Sequence, residues 1–180
     1  MIYNLCGIDE AGRGPLAGPL VVAGVVLQNQ INGLDDSKII SEKKRQLLFD
    51  KIVKNSLYHI VFVCNKTIDN IGLSKALGKS IKEIMGTLKT TDYLVDGNTS
   101  FGIENLKHKI KADASIKEVS AASILAKVSR DKFMCDISHK YPQYNFATHK
   151  GYGTKAHILA IKNFGLSNLH RKSFKVKSLE

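Results

Sequence analysis

The sequence is poor in cysteine. Its 180 residues include only Cys6, Cys64 and Cys135, which lie far apart and form no C-x-x-C pair. This number and spacing argue against a disulfide framework and against a structural zinc site, and they fit a reducing compartment. Because cysteine is among the residue types most often buried, we expect the three thiols to lie in the core.

Long hydrophobic segments are also missing. No apolar run approaches the roughly 20 residues that a membrane-spanning helix needs. The chain does not begin with a basic stretch followed by an apolar segment, so no secretory signal is expected. The hydrophobic share is 43% and the charged share is 24%, which is typical of a globular protein. We therefore expect a cytoplasmic protein whose residues 1–180 form a single domain with a full core.

Acidic residues are scarce relative to basic ones. The chain has 16 Asp and Glu against 27 Lys and Arg, which gives a formal net charge of +11. Such an excess favours a polyanionic partner, with nucleic acid as the first candidate, although a merely solvated lysine-rich surface is the alternative. From about residue 139 onward the chain has eight Lys or Arg and one acidic residue, which predicts a basic helical C-terminal region. Composition does not separate DNA from RNA.

The hydrophobic pattern predicts strands and helices in alternation. Leu20–Leu27 is a continuous apolar run, which is typical of a central strand covered on both faces. Further strands are expected at 4–8, 57–64, 93–96 and 107–113, and helices at 41–55, 68–88, 119–139 and 154–164. Ser115 to Glu118 fits a capping box ahead of the third helix. This order predicts an α/β fold with a mixed sheet around one core.

Four acidic residues stand where predicted strands end or a helix begins. They are Asp9, Glu10, Asp96 and Asp113. Strand ends and helix starts at one edge of an α/β sheet converge on a common crevice, where carboxylates are suitable ligands for Mg²⁺ or Mn²⁺. Two such ions about 4 Å apart would stabilise the attacking and leaving oxygens of an in-line phosphodiester displacement.

The residues alone leave this interpretation open. Adjacent side chains of a strand point to opposite faces, so Asp9 and Glu10 serve one site only if the strand stops between or just after them. The Gly-Arg-Gly turn and Pro15 make such a stop credible. As alternatives, Asp96 is a turn former before Gly-Asn, and Asp113 is a partner of a helix dipole.

Two loops carry groups suited to nucleic acid. Gly12-Arg13-Gly14 offers a cation and accessible backbone N–H groups beside the first acid pair, but it lacks the pattern of a Walker loop. Tyr152 lies among cations and glycines in the segment 149–154, where its ring is able to stack on a sugar or a base. The alternative for Tyr152 is packing beneath its own loop.

Together these motifs resemble those of bacterial ribonuclease HII, the type 2 branch of the ribonuclease H enzymes. The resemblance runs in order from about residue 5 to residue 174. Its motifs are GIDEAGRGPLAGP at 7–19, LDDSK at 34–38, DGN at 96–98, KAD at 111–113, SAASILAKV with RD at 120–131, HKGYGT at 149–154 and HRKSF at 170–174. The first of these and the SAASILAKV run are each highly specific.

The resemblance implies a ribonuclease H-like fold, with a mixed five-stranded sheet flanked by helices and a helical C-terminal part. It implies endonucleolytic cleavage of RNA in RNA–DNA hybrids, including incision 5′ to a single ribonucleotide in duplex DNA, as in ribonucleotide excision repair. The expected products are 3′-hydroxyl and 5′-phosphate ends. It further implies Mg²⁺ or Mn²⁺ as cofactor, two ions in the active complex, and a monomer without an obligate protein partner.

Motif positions also imply residue roles. The family's catalytic and metal-binding carboxylates fall at Asp9, Glu10, Asp96 and Asp113. The turn that reads the ribonucleotide 2′-hydroxyl and the adjoining phosphates falls at Gly12, Arg13 and Gly14. Tyr152 falls on the tyrosine that stacks on the deoxyribose after the RNA-to-DNA junction, and Lys38 on a lysine that contacts the nucleic-acid backbone.

The sequence departs from the family pattern in two places. Ala112 replaces the usual glycine of Lys-Gly-Asp, and the helix expected from Ile68 lacks the usual Ala- and Thr-rich form. Three other classes of protein stay open at this point. A junction resolvase would share the carboxylates, but the junction tyrosine argues against it, and ribonuclease HIII normally has an additional N-terminal domain. A non-catalytic nucleic-acid-binding module has no need of four acids.

Overall fold

The computed structural model describes residues 4–34 and 40–175. Within these residues, five strands form one sheet and six α-helices surround it. The elements are β1 (Leu5–Ala11), β2 (Leu20–Leu27), α1 (Glu42–Asn55), β3 (Ser56–Val63), α2 (Asn65–Ile71), α3 (Leu73–Thr87), β4 (Asp92–Asp96), β5 (Leu106–Lys109), α4 (Lys117–Ser138), α5 (Phe146–His149) and α6 (Lys155–Phe164). Two 3-10 turns lie at Ala112–Ala114 and Pro142–Tyr144.

The sheet is mixed, as predicted. Its strand order is β3-β2-β1-β4-β5, in which β1 pairs antiparallel with β2 and parallel with β4. The outer pairs are β2 with β3, antiparallel, and β4 with β5, parallel. Because β1, β4 and β5 run in the same direction, their carboxyl ends lie at one edge of the sheet.

The prediction of a central strand covered on both faces is confirmed for β2. Leu20, Val22 and Val26 point toward Ile81 and Ile84 of α3, and all of these side chains are at most 1% exposed. The alternate residues of β2 pack beneath α1 and α4 on the opposite face. Burial of each such Val, Leu or Ile stabilises the folded state by about 1.5–3 kcal/mol. β2 therefore lies between two hydrophobic cores, one on each face of the sheet.

The starts of α1 and α6 lie within one residue of those predicted. Ser41 precedes α1 and its hydroxyl accepts a hydrogen bond from the Lys44 N–H at 3.3 Å. Thr154 precedes α6 and accepts from the His157 N–H at 3.3 Å. Gly165 ends α6 with φ of +74°, a conformation that glycine adopts without steric cost.

The prediction of one helix over 68–88 is wrong, because the structure has two helices there. α2 ends at Ile71, and Gly72 adopts φ of +79° and ψ of 155° before α3 begins. The Gly72 N–H still donates to the Ile68 carbonyl at 2.9 Å, but its extended ψ redirects the chain. Positive φ at Gly72 breaks the helical run, and only glycine tolerates it readily.

The predicted strand over 107–113 is shorter than expected. β5 ends at Lys109, Lys111 adopts φ of +58°, and Ala112–Ala114 forms a 3-10 turn. The Ala112 N–H donates to the Asp96 carboxylate at 2.8 Å, which is a bond that a continuing strand does not make. Asp113 therefore lies in a turn after the strand.

The capping box predicted at Ser115 does not form. α4 begins at Lys117 with Ile116 at its N-cap, and no side chain caps it. The Ser115 hydroxyl instead accepts a hydrogen bond from the Lys109 side chain at 3.1 Å. The 3-10 turn that precedes α4 sets this register, because the Ile116 N–H is already bonded to the Ala112 carbonyl at 2.8 Å.

The cysteine prediction is confirmed for Cys6, which is buried, and wrong for Cys64, which is exposed at the start of α2. Cys135 is half-buried on α4. Burial raises the pKa of the Cys6 thiol to about 12, so this group stays neutral in the core.

The C-terminal part packs α5 and α6 against the end of α4. Ala17, Met134 and Phe146 are fully buried in one apolar cluster there, which joins the loop after β1 to residues more than a hundred positions later. α5 was not predicted, since four residues are too few to show a helical period. In the part of the chain that the structure describes, no helix is long and apolar enough to cross a membrane.

Candidate active site

Asp9 and Asp96 lie side by side because of the parallel pairing of β1 with β4. In that register Ile8 faces Val95, so the next residue of each strand is an aspartate at the carboxyl edge of the sheet. Alternation along β1 directs Asp9 toward α4, where the nearby Ser123 side chain partly offsets the rise in the pKa of Asp9 that burial causes. Asp9 is only 7% exposed.

Asp113 reaches the same edge through the 3-10 turn after β5. The Asp96 carboxylate holds the start of this turn by accepting from the Ala112 N–H at 2.8 Å. Asp113 is 1% exposed. The strands β1 and β4 and the 3-10 turn after β5 thus each place one aspartate at the same carboxyl edge of the sheet.

The three aspartates form a compact cluster. One carboxylate oxygen from each of Asp9, Asp96 and Asp113 lies within 4.8 Å of the other two. Burial raises the pKa of Asp9 well above its ordinary value, and the charges of Glu10 and Asp96 raise it further. A bound divalent cation would offset this repulsion, and hard oxygen ligands are those that Mg²⁺ and Mn²⁺ prefer. The residues present therefore fit such an ion.

Glu10 lies beside this cluster without joining it. β1 continues through both acids and ends at Ala11, so the two side chains leave the strand on opposite faces, although Glu10 stays close enough for its charge to raise the pKa of Asp9. Its carboxylate makes an ion pair with Arg13 at 3.1 Å. Burial raises the pKa of Glu10, while the neighbouring Arg13 guanidinium opposes the rise. The structure thus brings three of the four predicted carboxylates together and holds the fourth at the adjoining turn.

The Gly-Arg-Gly turn is held from behind by a buried arginine. The guanidinium of Arg171 donates to the carbonyls of Gly12 at 2.6 Å, Arg13 at 3.1 Å and Gly18 at 3.0 Å. Gly12 has φ of +98°, and a Cβ there would overlap Nε of Arg130. Since the carbonyls point inward to Arg171, the turn keeps a fixed conformation against the cleft.

A second buried arginine lies beneath Tyr152. Cζ of Arg130 is 5.6 Å from the centre of the Tyr152 ring, which is 43% exposed. The Arg130 guanidinium donates to the carbonyls of Ala17 at 3.2 Å, Pro19 at 3.0 Å and Lys150 at 2.9 Å. The tyrosine loop and the segment after the Gly-Arg-Gly turn are therefore tied to the same side chain.

An open cleft of about 370 Å³ lies between the Gly-Arg-Gly turn and Tyr152. Glu10, the Gly12-Arg13-Gly14 turn and Tyr152 line it. Lys38, the remaining predicted contact, lies outside the described residues.

The cleft also has three polar side chains to which the sequence interpretation gave no role. These are Arg45 of α1 and Ser123 and Lys127 of α4. Ser123 and Lys127 are four residues apart, and this spacing places both on the same face of a helix. That signal was available within the SAASILAKV run, whereas nothing local relates Arg45 to the site.

The mixed sheet with an aspartate cluster at its carboxyl edge defines a ribonuclease H-like protein. The chain belongs to the ribonuclease HII family, since the family model for ribonuclease HII matches residues 6–177. The chain is 64% identical to ribonuclease HII of Aliarcobacter butzleri over 178 residues, covering 98% of this chain and 93% of the relative. It is 52% identical to that of Sulfurovum sp. over 176 residues, with coverage of 98% and 94%.

Solved structures support the same assignment. The ribonuclease HII of Archaeoglobus fulgidus, determined in a complex with PCNA, superposes with a TM-score of 0.84 at 26% identity, covering 97% of this chain and 96% of that one. The predicted family, fold class and enzyme class are thereby confirmed. The protein is a type 2 ribonuclease H, a metal-dependent endonuclease that acts on RNA–DNA hybrids.

Proposed function

We propose that this enzyme, besides cleaving the RNA strand of hybrids, incises duplex DNA on the 5′ side of a single embedded ribonucleotide. The expected ends are a 3′-hydroxyl and a 5′-phosphate. The supporting observation is the cleft lined by Glu10, the Gly-Arg-Gly turn and Tyr152, in which Glu10 directly follows Asp9 of the aspartate cluster along β1. An RNA-specific nuclease needs a reader of the 2′-hydroxyl next to its reacting phosphate, since this group is what distinguishes RNA from DNA.

The proposed metal ligands are Asp9, Glu10, Asp96 and Asp113, which would hold Mg²⁺ or Mn²⁺, with two ions in the active complex. Bound divalent ions supply charge stabilisation at the attacking and leaving oxygens of a phosphodiester. The enzyme's own backbone orients these ligands: the Glu10 N–H donates to Asp9 and the Ala112 N–H donates to Asp96, both at 2.8 Å. Fixed carboxylates reduce the reorganisation required when the substrate binds.

The turn and the tyrosine are proposed as the substrate readers. Backbone N–H groups of Gly12 and Gly14 and the Arg13 side chain are suited to the 2′-hydroxyl and the adjoining phosphates. Nothing lies within 4 Å of a Cβ built on Gly14, so a nucleotide has free access to that backbone. Tyr152 would stack on the deoxyribose that follows the junction, and Lys38 would contact the backbone of the nucleic acid.

The wider role that we propose is removal of ribonucleotides from genomic DNA in the cytoplasm, by a monomer with a single catalytic domain. The proposed catalytic and substrate-binding residues in the described part of the chain lie around one five-stranded sheet, which supports a single catalytic domain. The net charge of +11 favours binding along a duplex, with the basic C-terminal region from about residue 139 contributing to it.

The test uses purified protein, Mg²⁺ or Mn²⁺, and a labelled DNA duplex with one ribonucleotide. Cleavage 5′ to the ribonucleotide is expected, and the 3′ ends should support extension by a polymerase, as only a 3′-hydroxyl does. The all-DNA duplex should remain intact. Cleavage on the other side of the ribonucleotide, or ends that block extension, would overturn the proposal.

The first testable variant is Asp9→Asn. Loss of a buried metal ligand should lower kcat by roughly 10²–10³-fold, because a metal supplies several kcal/mol of charge stabilisation and each 1.36 kcal/mol is tenfold in rate. Binding of the duplex should largely survive. Asp50→Asn makes the same chemical change at an exposed position of α1 and should cleave as the wild type does. Undiminished cleavage by Asp9→Asn would remove Asp9 from the site.

A further inference from the structure

Three histidines lie buried beneath the Tyr152 loop, and the proposed chemistry uses none of them. His149, His157 and His170 are 8%, 0% and 1% exposed. The rings of His149 and His157 are stacked with centres 4.3 Å apart, and Nε2 of His157 is 3.0 Å from Nε2 of His170. Two of the three belong to the HKGYGT and HRKSF motifs.

The hydrogen-bond partners determine which ring nitrogen carries the proton. A neutral imidazole has one donor and one acceptor nitrogen. Nδ1 of His170 accepts from the Ser167 N–H at 2.8 Å, so Nε2 is its donor. His170 therefore donates to Nε2 of His157. That leaves Nδ1 of His157 as a donor, and it lies 2.9 Å from the carbonyl oxygen of Tyr152.

The result is a directed chain from Ser167 through His170 and His157 to Tyr152. Each hydrogen bond of this chain requires neutral imidazoles, and the environment of His157 and His170 favours the neutral form. Burial lowers the pKa of His157, and burial together with the His157 charge lowers the pKa of His170 to about 4. The adjacent His149 also favours the neutral forms of His157 and His170. Nδ1 of His149 accepts from the Gly151 N–H at 3.2 Å, and its Nε2 is 2.7 Å from the Tyr144 carbonyl.

The same segment is attached to the Gly-Arg-Gly turn. Arg171 follows His170 directly and donates to the carbonyls of Gly12 and Arg13. The backbone of His170 also forms a bridge with Ala17. The dipeptide His170-Arg171 thus reaches the tyrosine loop through His157 with one side chain and contacts the turn with the other, which relates the positions of the two.

We propose that His157 and His170 are positioning residues, which hold Tyr152 in register with the Gly-Arg-Gly turn through this hydrogen-bond chain. The inference rests on the proposed role of Tyr152 at the junction. The chain fixes the backbone of Tyr152, so its loss displaces the ring from the deoxyribose without altering the aspartate cluster. Cleavage at a single ribonucleotide depends on the chain, whereas cleavage within a continuous hybrid does not.

The first measurement needs no variant. In ¹⁵N NMR spectra of histidine-labelled protein at neutral pH, His157 should show the neutral form protonated at Nδ1, and His170 the neutral form protonated at Nε2. The opposite assignment for either ring, or a charged imidazole, would overturn the chain whatever the activity of the enzyme.

The second measurement compares His170→Phe with His170→Gln. Phe keeps a ring but has no donor for His157, while the Gln amide supplies one. With the single-ribonucleotide duplex, His170→Phe should lose about threefold to tenfold in kcat/KM, the effect of one hydrogen bond. His170→Gln should recover most of this loss. Both variants should cleave a continuous RNA–DNA hybrid within about twofold of wild type.

A double-mutant cycle with Tyr152→Ala separates positioning from general stability. If His170 acts through Tyr152, His170→Phe should have almost no further effect in the Tyr152→Ala protein. Additive losses, or equal losses on both substrates, would overturn the inference and leave the proposed function intact. If Tyr152→Ala by itself cleaves the junction normally, the proposed role of Tyr152 fails, and the positioning role fails with it.

Discussion

Arg171 shows how much of the site depends on a single side chain that never faces the cleft. Its guanidinium bonds three carbonyls of the loop after β1, across 153 to 159 residues of chain. It also lies over the Phe174 ring at 5.0 Å. Burial, together with the nearby Arg130 charge, lowers the pKa of Arg171 to about 10, so the group remains charged at neutral pH. A planar fork is required here, because three acceptors lie around it in fixed directions.

At this scale we predict that Arg171→Lys destabilises the protein by about 2–4 kcal/mol, since an ammonium cannot reach all three carbonyls and each orphaned buried acceptor costs about 1–3 kcal/mol. Urea unfolding measures the change, and kcat/KM on the single-ribonucleotide duplex should fall as well. Lys172→Arg is the reverse exchange at the exposed neighbouring residue and should match the wild type. Equal stability of Arg171→Lys and wild type would show that the carbonyls are satisfied without the fork.

Among the elements, α4 decides where the aspartates meet. It lies so close to β1 that a Cβ on Gly7 would overlap backbone atoms of Glu118 and Val119. Ala121 and Ala122 are fully buried against the sheet and permit this approach. The small residues of the SAASILAKV run therefore have a packing role, which brings Ser123 close to Asp9.

For this element we predict that Gly7→Ala destabilises the protein by about 1–3 kcal/mol or more, because backbone on the facing helix must move to accept the methyl group. Cleavage should slow as well, as α4 carries Ser123 away from Asp9. The control is Gly86→Ala, since Gly86 is an exposed residue of α3 with no atom within 4 Å of a built Cβ. That variant should gain up to about 1 kcal/mol from higher helix propensity. A Gly7→Ala protein as stable as wild type would contradict the close packing.

At the scale of the whole molecule, the C-terminal part closes over the loop that follows β1. The Gly18 N–H donates to the Leu169 carbonyl and the Leu16 N–H to the Gly151 carbonyl, both at 2.9 Å. The same region contains the three buried histidines. Folding therefore couples the geometry of the site to the burial of imidazoles, and burial lowers the pKa of His157 and His170.

We predict that this coupling makes stability sensitive to mild acid. The pKa of His170 falls from its ordinary value of 6.5 to about 4 on folding, so below pH 6.5 the unfolded chain binds more protons. The free energy of unfolding should consequently decrease as the pH is lowered. His170 alone contributes a decrease of about 2 kcal/mol from pH 7 to pH 5. His157, whose pKa is also lowered, acts in the same direction.

The comparison with His170→Gln isolates this contribution. The raised pKa values of Asp9 and Glu10 act in the opposite sense, but they do so in both proteins. Urea unfolding at pH 7 and pH 5 should show a smaller decrease for the variant than for the wild type. Parallel decreases in the two proteins would mean that His170 is not held neutral by the fold.

Local patterns determined a large share of this molecule. The apolar run of β2 and the bounds of α1 and α6 are properties of neighbouring residues, and both helices lie within one residue of the predicted bounds. Acids at the ends of β1 and β4 also follow from local signals, since a strand end is visible in the sequence. The motifs were sufficient to identify the family, because their order and spacing are specific along most of the chain.

Only the tertiary structure decided how these pieces meet. Gly72 divides a helix that composition alone favours as continuous. The carboxylate of Asp96 accepts the N–H of Ala112, sixteen residues later, in the turn that follows β5. The carbonyls held by Arg171 and the histidine chain beneath Tyr152 depend on side chains that come together only when the fold is complete. Local propensities do not describe such contacts, so the position of Glu10 beside the aspartates and the support behind the Gly-Arg-Gly turn and the Tyr152 loop are set by tertiary packing alone.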